Sequence, residues 1–375
     1  FIKKSPKSGC IGRKKVFNLD ISTLLKSPDF QQQNFKLIYA DPPYTDMQYS
    51  RFYHLLNVAA NYNYPKPTIV RGKFTKGLYV EGRNQSALSK KSTAKTCLEK
   101  LFKYCNDNNI VLALSYAYPK DKVNQKTNRY TISIEELVEL AKSTFGSKKV
   151  QIGLKDYKHA NNRNSFAKEV FEYLILCGKE LHSSRYDLFK LKKEIKTIKP
   201  TSKNSVYNTH LYWSQKSFNV IDSLITHLSY ENDIIFDPFL GSGVTVLEAV
   251  NNNLNRIGIG CDVNEMSKFI TNNILNEIPR SDLNQLFSRF KKKLSALLFY
   301  YETQCDICGK TGTISKVVFD KPDRTGNKFK IKAISYTCPH CGKKVKASTE
   351  DDYLKFSTTK NNKFVLDMHL IQNSK

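Results

Sequence analysis

Acidic residues are the scarce class in this chain: 34 Asp and Glu stand against 60 Lys and Arg in 375 residues, a formal charge of +26. Such an imbalance argues against cationic partners and is the electrostatic footprint of a nucleic-acid ligand, although lysine-rich surfaces also serve solubility alone. Also missing are any apolar run near the roughly 18–20 residues that span a bilayer and any signal-peptide pattern. The expectation is a soluble cytoplasmic protein, nucleoid-associated if bacterial. Ligand-like spacing is absent from Cys10, Cys97, Cys105, Cys177 and Cys261, which read as reduced, buried thiols. The chain opens on Phe1 rather than Met, the expectation for a fragment or processed piece. Its length accommodates one large α/β domain and a smaller module.

What is present centres on Asp41-Pro42-Pro43-Tyr44, at the end of the apolar run Phe35–Ala40. The run reads as a buried strand stopped by prolines. An acid, two prolines and an aromatic at a strand's carboxyl edge sit where open α/β sheets bind ligands. They suit an exocyclic amino group of a nucleobase, a poor nucleophile because its lone pair is delocalised into the ring. A carboxylate and a backbone carbonyl accepting its N–H bonds would localise charge on nitrogen, and an aromatic face would hold the base. An ordinary Pro-Pro turn is the alternative reading.

Along the chain, Phe1–Lys15 reads as a basic arm and Val16–Asp20 as a strand before a short helical stretch, Ile21–Leu25. Ser50–Tyr62 reads as a helix facing its core with Phe52, Leu55, Leu56 and Ala59. Pro65–Ala94 reads as a long basic insertion. Lys95–Asn108 is predicted helical and Ile110–Ser115 a strand, with Ser115-Tyr116 at its end as lining for a target pocket or a plain strand end. Ser133–Phe145 is a helix with a capping-box start and a Gly146 stop. Val150–Gly153 and Val170–Leu176 form a strand pair around the basic stretch Lys155–Lys168. Lys179–Lys203 reads as a surface connection. A helix with Phe218, Ile221, Leu224, Ile225 and Leu228 precedes the strand Ile234–Asp237, and Arg256–Cys261 is a further strand. Strands alternating with helices predict a mostly parallel sheet covered on both faces.

Asp237-Pro238-Phe239-Leu240-Gly241-Ser242-Gly243 lies between a strand and a helix, where two glycines let backbone approach a ligand at the helix N-terminus. Asp262 ends the next strand, at an interval where an acid binds ribose hydroxyls in dinucleotide sites. Together these predict a nucleoside site; a structural glycine turn is the alternative.

These two motifs together resemble those of the amino-methylating DNA methyltransferases, which make N6-methyladenine or N4-methylcytosine from S-adenosylmethionine. Asp41–Tyr44 precedes the glycine motif, an order similar to the circularly permuted beta group. His210-Leu211-Tyr212-Trp213-Ser214-Gln215-Lys216-Ser217 resembles that branch's His…Gln-Lys-Pro segment beside the methionine end of the cofactor, with Ser217 in place of the proline. Asp20 matches an acid at the cofactor's adenine end. The resemblance, over residues 16–280, implies a Rossmann-like, circularly permuted α/β fold, mostly parallel with an antiparallel hairpin. It implies that Asp41 and the Pro42 carbonyl accept from the target amino group, within a turn made rigid by Pro43, and that Tyr44 stacks on the base. Asp20, Lys216, Asp237, Pro238, Phe239, Gly241, Gly243 and Asp262 would form the cofactor site. It further implies flipping of a duplex base, adenine rather than cytosine from the Asp-Pro-Pro-Tyr spelling, and a restriction endonuclease or other defence subunit as partner. RNA or cytosine N4 as acceptor, and a catalytically silent nucleic-acid-binding protein, are the alternatives; a cofactor-dependent oxidoreductase leaves Asp-Pro-Pro-Tyr unexplained.

Beyond a helical linker, 281–300, the module 301–375 carries two Cys-x-x-Cys-Gly knuckles, Cys305/Cys308 and Cys338/Cys341. The strand-like Ile314–Phe319 and Lys328–Tyr336 flank a turn at Asp323–Gly326. The pattern resembles a zinc ribbon holding structural Zn²⁺ with four thiolates, paired disulfides being the alternative. Tyr353 and Phe356 are expected to complete its core.

Overall fold

The computed structural model describes residues 14–48, 50–61, 63, 65–75, 80–81, 85–120, 129–159, 168–182, 186–201, 206–210, 212, 215–251, 254–276, 278–319 and 331–358. The chain divides into two compact units, Phe1–Lys73 with Tyr79–Glu277, and Phe74–Leu78 with Ile278–Lys375. Most of the basic arm, Asp323–Gly326 and the side chain of Phe356 lie outside the described residues. Among the described residues no helix is long and apolar enough to cross a membrane.

The strands of the first unit are β1 (Lys14–Phe17), β2 (Phe35–Ala40), the two-residue β3 (Ile69–Val70) and β4 (Lys73–Phe74), β5 (Val111–Pro119), β6 (Val150–His159), β7 (Lys168–Cys177), β8 (Ile234–Asp237) and β9 (Ile257–Cys261). Its helices are α1 (Ile21–Leu24), α2 (Pro28–Gln31), α3 (Ser50–Asn61), α4 (Lys91–Asp107), α5 (Ile134–Phe145), α6 (Leu188–Thr197), α7 (Phe218–Leu228), α8 (Val244–Asn251) and α9 (Glu265–Leu275). Seven strands form one sheet in the order β1-β9-β8-β2-β5-β7-β6. β1 through β5 in that order are parallel, and β7 runs antiparallel to both β5 and β6. The fold is thus the mixed α/β sheet with an antiparallel hairpin that the sequence predicts.

Burial on both faces explains why these strands read as unbroken apolar runs. All nine residues of β5 are buried. Leu37, Val111, Ala113 and Ile235 face α6, α7 and α8, while Ile38, Leu112, Leu114 and Phe236 pack with α1, α4 and α5. From β8 the chain crosses through α8 to β9 on one side; from β2 it crosses through α4 to β5 on the other. The carboxyl ends of β8 and β2 are therefore a topological switch point, where such sheets open a crevice.

Several boundaries differ from the sequence reading. β5 continues four residues past Ser115, because Tyr116 and Tyr118 remain buried and β7 pairs along its whole length. Lys179–Lys203 is not a plain connection: it holds α6, capped where the Asp187 carboxylate accepts from the Lys190 amide at 2.8 Å, and anchored by buried Leu191. In α3 the buried residues are Tyr53 and His54, while Phe52 is 43% exposed. The Tyr53 ring stacks on Tyr212 with centroids 4.4 Å apart, which turns the helix by one position from its apolar pattern.

The second unit has α10 (Arg280–Leu298), then an antiparallel sheet of β10 (Glu302–Gln304), β11 (Thr311–Phe319), β12 (Ile331–Cys338) and β13 (Gly342–Lys346), and α11 (Glu350–Thr358). Tyr353 is 40% exposed and does not complete its core. Asp352 goes inside instead, accepting from the Thr303 hydroxyl at 2.5 Å and pairing with the Lys346 ammonium at 3.0 Å.

The predicted capping box stands at α5. The Glu136 amide donates to the Ser133 hydroxyl at 3.2 Å and the Ser133 amide to the Glu136 carboxylate at 3.1 Å. Ser133→Ala is expected to lower unfolding stability by about 1 kcal/mol, measured by denaturant melts.

Candidate active site

Polar groups collect on one sheet face at the carboxyl edge of four neighbouring strands. Toward α7, the buried residues of β8 end in Asp237, and those of β2 in Tyr39 and then Asp41. Ser115 on β5 and Glu172 on β7, which runs the other way, extend this polar group, with Ala117 and Val170 buried beyond them. Alternation with period two puts these polar groups on the same face as the apolar rows.

Into this row reaches Lys216, from the segment before α7. Its ammonium lies 3.0 Å from Asp41 Oδ1, 3.0 Å from Glu172 Oε1 and 3.3 Å from Ser115 Oγ. The Ser115 hydroxyl donates to the same Glu172 oxygen at 2.5 Å. Burial raises Asp41 to about 6, Lys216 opposing and Glu172 adding to the rise. Burial also raises Asp237 to about 7, against hydrogen bonds from Thr245 and the Phe239 amide. Lys216 is pulled down by burial, but Asp41 and Glu172 outweigh this and hold it well above its usual value. Asp41 and Lys216 are therefore both charged at neutral pH.

The turn from β8 into α8 forms the adjoining wall. Gly241 takes φ +54° and Gly243 φ +82°. The Gly241 amide donates to Asp262 Oδ2 at 2.8 Å and the Asn264 amide to Asp262 Oδ1 at 2.8 Å, so this acid ties the glycine turn to the end of β9. A Cβ on Gly243 would lie 2.2 Å from Thr271 Oγ1; only glycine lets α8 approach α9 so closely. Asp20 caps α1, accepting from the Ser22 amide at 2.9 Å.

A cavity of about 300 Å³ runs from Asp41 and Lys216 to the glycine turn and Asp262, a volume within the range of small-molecule sites. Of the residues the sequence singles out, Asp20, Asp41, Pro43, Lys216, Asp237, Pro238, Phe239, Gly241 and Asp262 line it. Pro42 is buried, Gly243 sits behind the turn, and Tyr44 is half-buried with its ring near those of Tyr130, at 6.1 Å, and Tyr116, at 6.0 Å. Tyr116 itself is core, its hydroxyl donating to the Ile132 carbonyl at 2.8 Å, and Ser115 is buried against Glu172, so neither residue lines the cavity. His210 is half-buried, with its imidazole lowered by burial.

Sequence reasoning missed Glu172 and the polar wall of α3. An acid inside the apolar run Val170–Cys177 was a readable signal for the first. His54, Asn57 and Asn61, spaced by three and four, were one for the second, hidden by attention to the apolar stripe. The Asn57 side-chain oxygen accepts from the Met266 amide at 3.2 Å, and Asn61 donates to Glu265.

Comparison with known proteins decides what this cavity belongs to. The family described as DNA methylase, of the N6/N4 class, matches residues 35–273, well over half of the chain. The chain belongs to the DNA methylase family. Modification methylase LlaI from Lactococcus lactis subsp. lactis is 28% identical over 156 residues. That alignment covers 40% of this chain and 22% of the relative, so the match spans under a quarter of that protein's length. Among solved structures, the complex of M1.HpyAVI with SAM is similar at TM-score 0.33 and 18% identity, over 70% of this chain and 100% of that one. PvuII DNA methyltransferase, titled cytosine-N4-specific, is similar at TM-score 0.40 and 14% identity, over 70% of this chain and 93% of that one.

The methylase match ends before the second unit, where Cys305, Cys308, Cys338 and Cys341 bring their sulfurs within 4.8 Å of one another. They are free thiols, with Cys308 and Cys338 Sγ atoms 3.6 Å apart, far beyond a disulfide bond. The Tyr336 hydroxyl donates to Cys305 Sγ at 3.3 Å and lowers that thiol to about 6. Four convergent sulfurs could hold a metal ion.

The glycine turn is testable within the methylase unit. Gly243→Ala forces both a positive φ and a clash with Thr271. It is expected to cost about 1–2 kcal/mol of stability in thermal or denaturant melts. Thr271→Ala in the same chain should return part of the loss, since it removes the clash but not the strain.

Proposed function

We propose that the protein is an S-adenosylmethionine-dependent DNA methyltransferase acting on N6 of adenine, in a base turned out of the duplex. The observation that carries the reading is one cavity bounded by both the Asp41 carboxylate and the glycine turn with Asp262. The residues present fit the cofactor. Asp20 and Asp262 suit ribose and adenine hydrogen bonds, while Phe239, Pro238 and Gly241 offer apolar surface and close backbone approach. When bound, S-adenosylmethionine supplies a methyl group on a sulfonium that departs as a neutral thioether.

The chain's own work is alignment and charge. Asp41, ionised above about 6, accepts an N–H of the target amino group, and the Pro42 carbonyl accepts the other. Pro43 keeps the turn rigid, and Tyr44 at the same edge offers a ring face to the base. Asp237 and Gly243 hold the turn that the cofactor rests on. The Asp-Pro-Pro-Tyr spelling favours adenine, and the +26 charge suits a polyanionic substrate. Residues 16–280 act as the catalytic domain, with the stretch from 65 to the start of α4 at Lys91 as a basic insertion. Residues 301–375 act as a ribbon whose four cysteines hold structural Zn²⁺. The modification methylase LlaI supports a role in restriction-modification or defence, with an endonuclease as companion and the cytoplasm or nucleoid as location.

Transfer of labelled methyl from S-adenosylmethionine to duplex DNA, single-stranded DNA and RNA, with product nucleosides identified by mass, tests this. N6-methyladenine in DNA, lost in Asp41→Ala, is expected; N4-methylcytosine or label in RNA would replace the acceptor, and no cofactor binding would remove the enzyme reading.

Two further outcomes follow from the same assignments. The transfer rate should fall as pH drops through about 6, because the acceptor must be ionised. Elemental analysis should find one zinc per chain, reduced in Cys338→Ser, and a strong chelator should unfold the second unit while the cofactor still binds.

A further inference from the structure

Lys216 has a second carboxylate partner that the transfer described above does not use. We propose that Glu172 is a positioning residue for that transfer: it shares the Lys216 ammonium with Asp41, so that Asp41 remains an unneutralised acceptor for the target amino group. The inference rests on the methyltransferase reading of the cavity.

The geometry is symmetric. Lys216 Nζ stands 3.0 Å from one oxygen of each acid, bound no closer to Asp41 than to Glu172. Glu172 is held there from two sides. Its backbone is fixed by β5–β7 pairing, where it lies opposite Ala117, and its Oε1 accepts from the Ser115 hydroxyl as well as from the ammonium. A long lysine next to a single carboxylate would close a neutral pair and engage the acceptor oxygen. With two carboxylates the cluster carries a net negative charge, on the side where the amino group must be polarised.

The other groups facing Asp41 do not supply this balance. Burial raises the Tyr39 phenol far above its usual value, so it stays neutral; Ser115 carries no charge; Asp237 lies on β8 and adds a like charge. Lys216 is the cation of the group, and Glu172 is the acid that divides it. The division matters to the proton. As the bond from the target nitrogen to the methyl carbon forms and the carbon–sulfur bond breaks, the nitrogen must shed one proton. The Asp41 carboxylate receives it and returns it to water. An Asp41 neutralised by a dedicated lysine would be a weaker base for that step.

The experiment is the pH dependence of single-turnover methyl transfer by the full chain, wild type against Glu172→Gln, with melts to confirm folding. Removing Glu172 leaves Lys216 to Asp41 alone. The acid limb is therefore expected to move down by about one pH unit. The plateau rate should fall by roughly tenfold, less than a proton-transfer group itself supplies, with KM for the cofactor little changed. Glu172→Asp should restore most of the rate. Lys216→Met should move the limb the opposite way, which keeps the proposal open to test if Glu172→Gln folds poorly. An active wild type whose acid limb stays in place in Glu172→Gln and in Lys216→Met overturns the role of Glu172 alone. A wild type that methylates no nucleic acid overturns the methyltransferase reading and this inference with it.

Discussion

Two carboxylates at the edge of the sheet, Asp41 and Glu172, share one ammonium beside a third acid, Asp237, and much of the first unit is arranged to keep them so. Asp237, Asp41 and Glu172 belong to three strands of one face, and Lys216 reaches them from the segment before α7. The cost is visible in the protons. Burial lifts Asp41 and Asp237 to about 6 and 7 from an ordinary 3.8, so the folded chain holds these protons more tightly than the unfolded chain does. Their contribution to folding is full below about 3.8 and fades as pH rises through 6 to 7. At neutral pH the two acids oppose folding, and the apolar rows beneath them must carry the strands. The site is charged where the fold would be steadier without charge.

Topology brings these groups together from distant parts of the chain. Asp41 and Asp237 are separated by nearly two hundred residues, yet β2 and β8 are hydrogen-bonded neighbours. The crossovers from the two strands leave in opposite directions, so a crevice opens between their carboxyl ends. The permuted motif order changes only which loops are cut and joined. It leaves the acceptor strand and the glycine strand side by side, because the sheet order is set by pairing and two-faced burial rather than by position in the chain.

Much of this was legible before any coordinates. Runs such as Phe35–Ala40 and Ile234–Asp237 announced two-faced strands because both faces are covered. Ser133 and Glu136 marked a helix start because capping chemistry is local. The misses were non-local. Phe52 satisfies the helical period as well as Tyr53 does, and only the ring of Tyr212, far along the chain, selects the latter. Glu172 sits in a strand whose neighbours say core, and its partner Lys216 is 44 residues away. Asp352 looks like a surface acid of α11 until Thr303 and Lys346 are placed around it. Tyr44 was read from its motif as a base-stacking ring, and its packing near Tyr116 and Tyr130 depends on a strand and a loop the motif does not contain.

The second unit poses the opposite problem, too little core rather than too much charge. Among its described residues the buried apolar side chains are few: Ile314, Ile331 and Ile334 form one small cluster, and Tyr336 with Cys305 and Cys338 another. Sheets of this size seldom bury enough surface to offset the entropy of ordering the chain, and small modules use metals or disulfides to close the gap. The thiols here are free and converge, an arrangement that could hold a metal ion. Gly309 and Gly342, each with positive φ, turn the chain just after each knuckle. The buried Lys346–Asp352 pair then fits the same logic. A scaffold that four sulfurs could fix through a metal would hold such an ion pair inside without relying on a hydrophobic core.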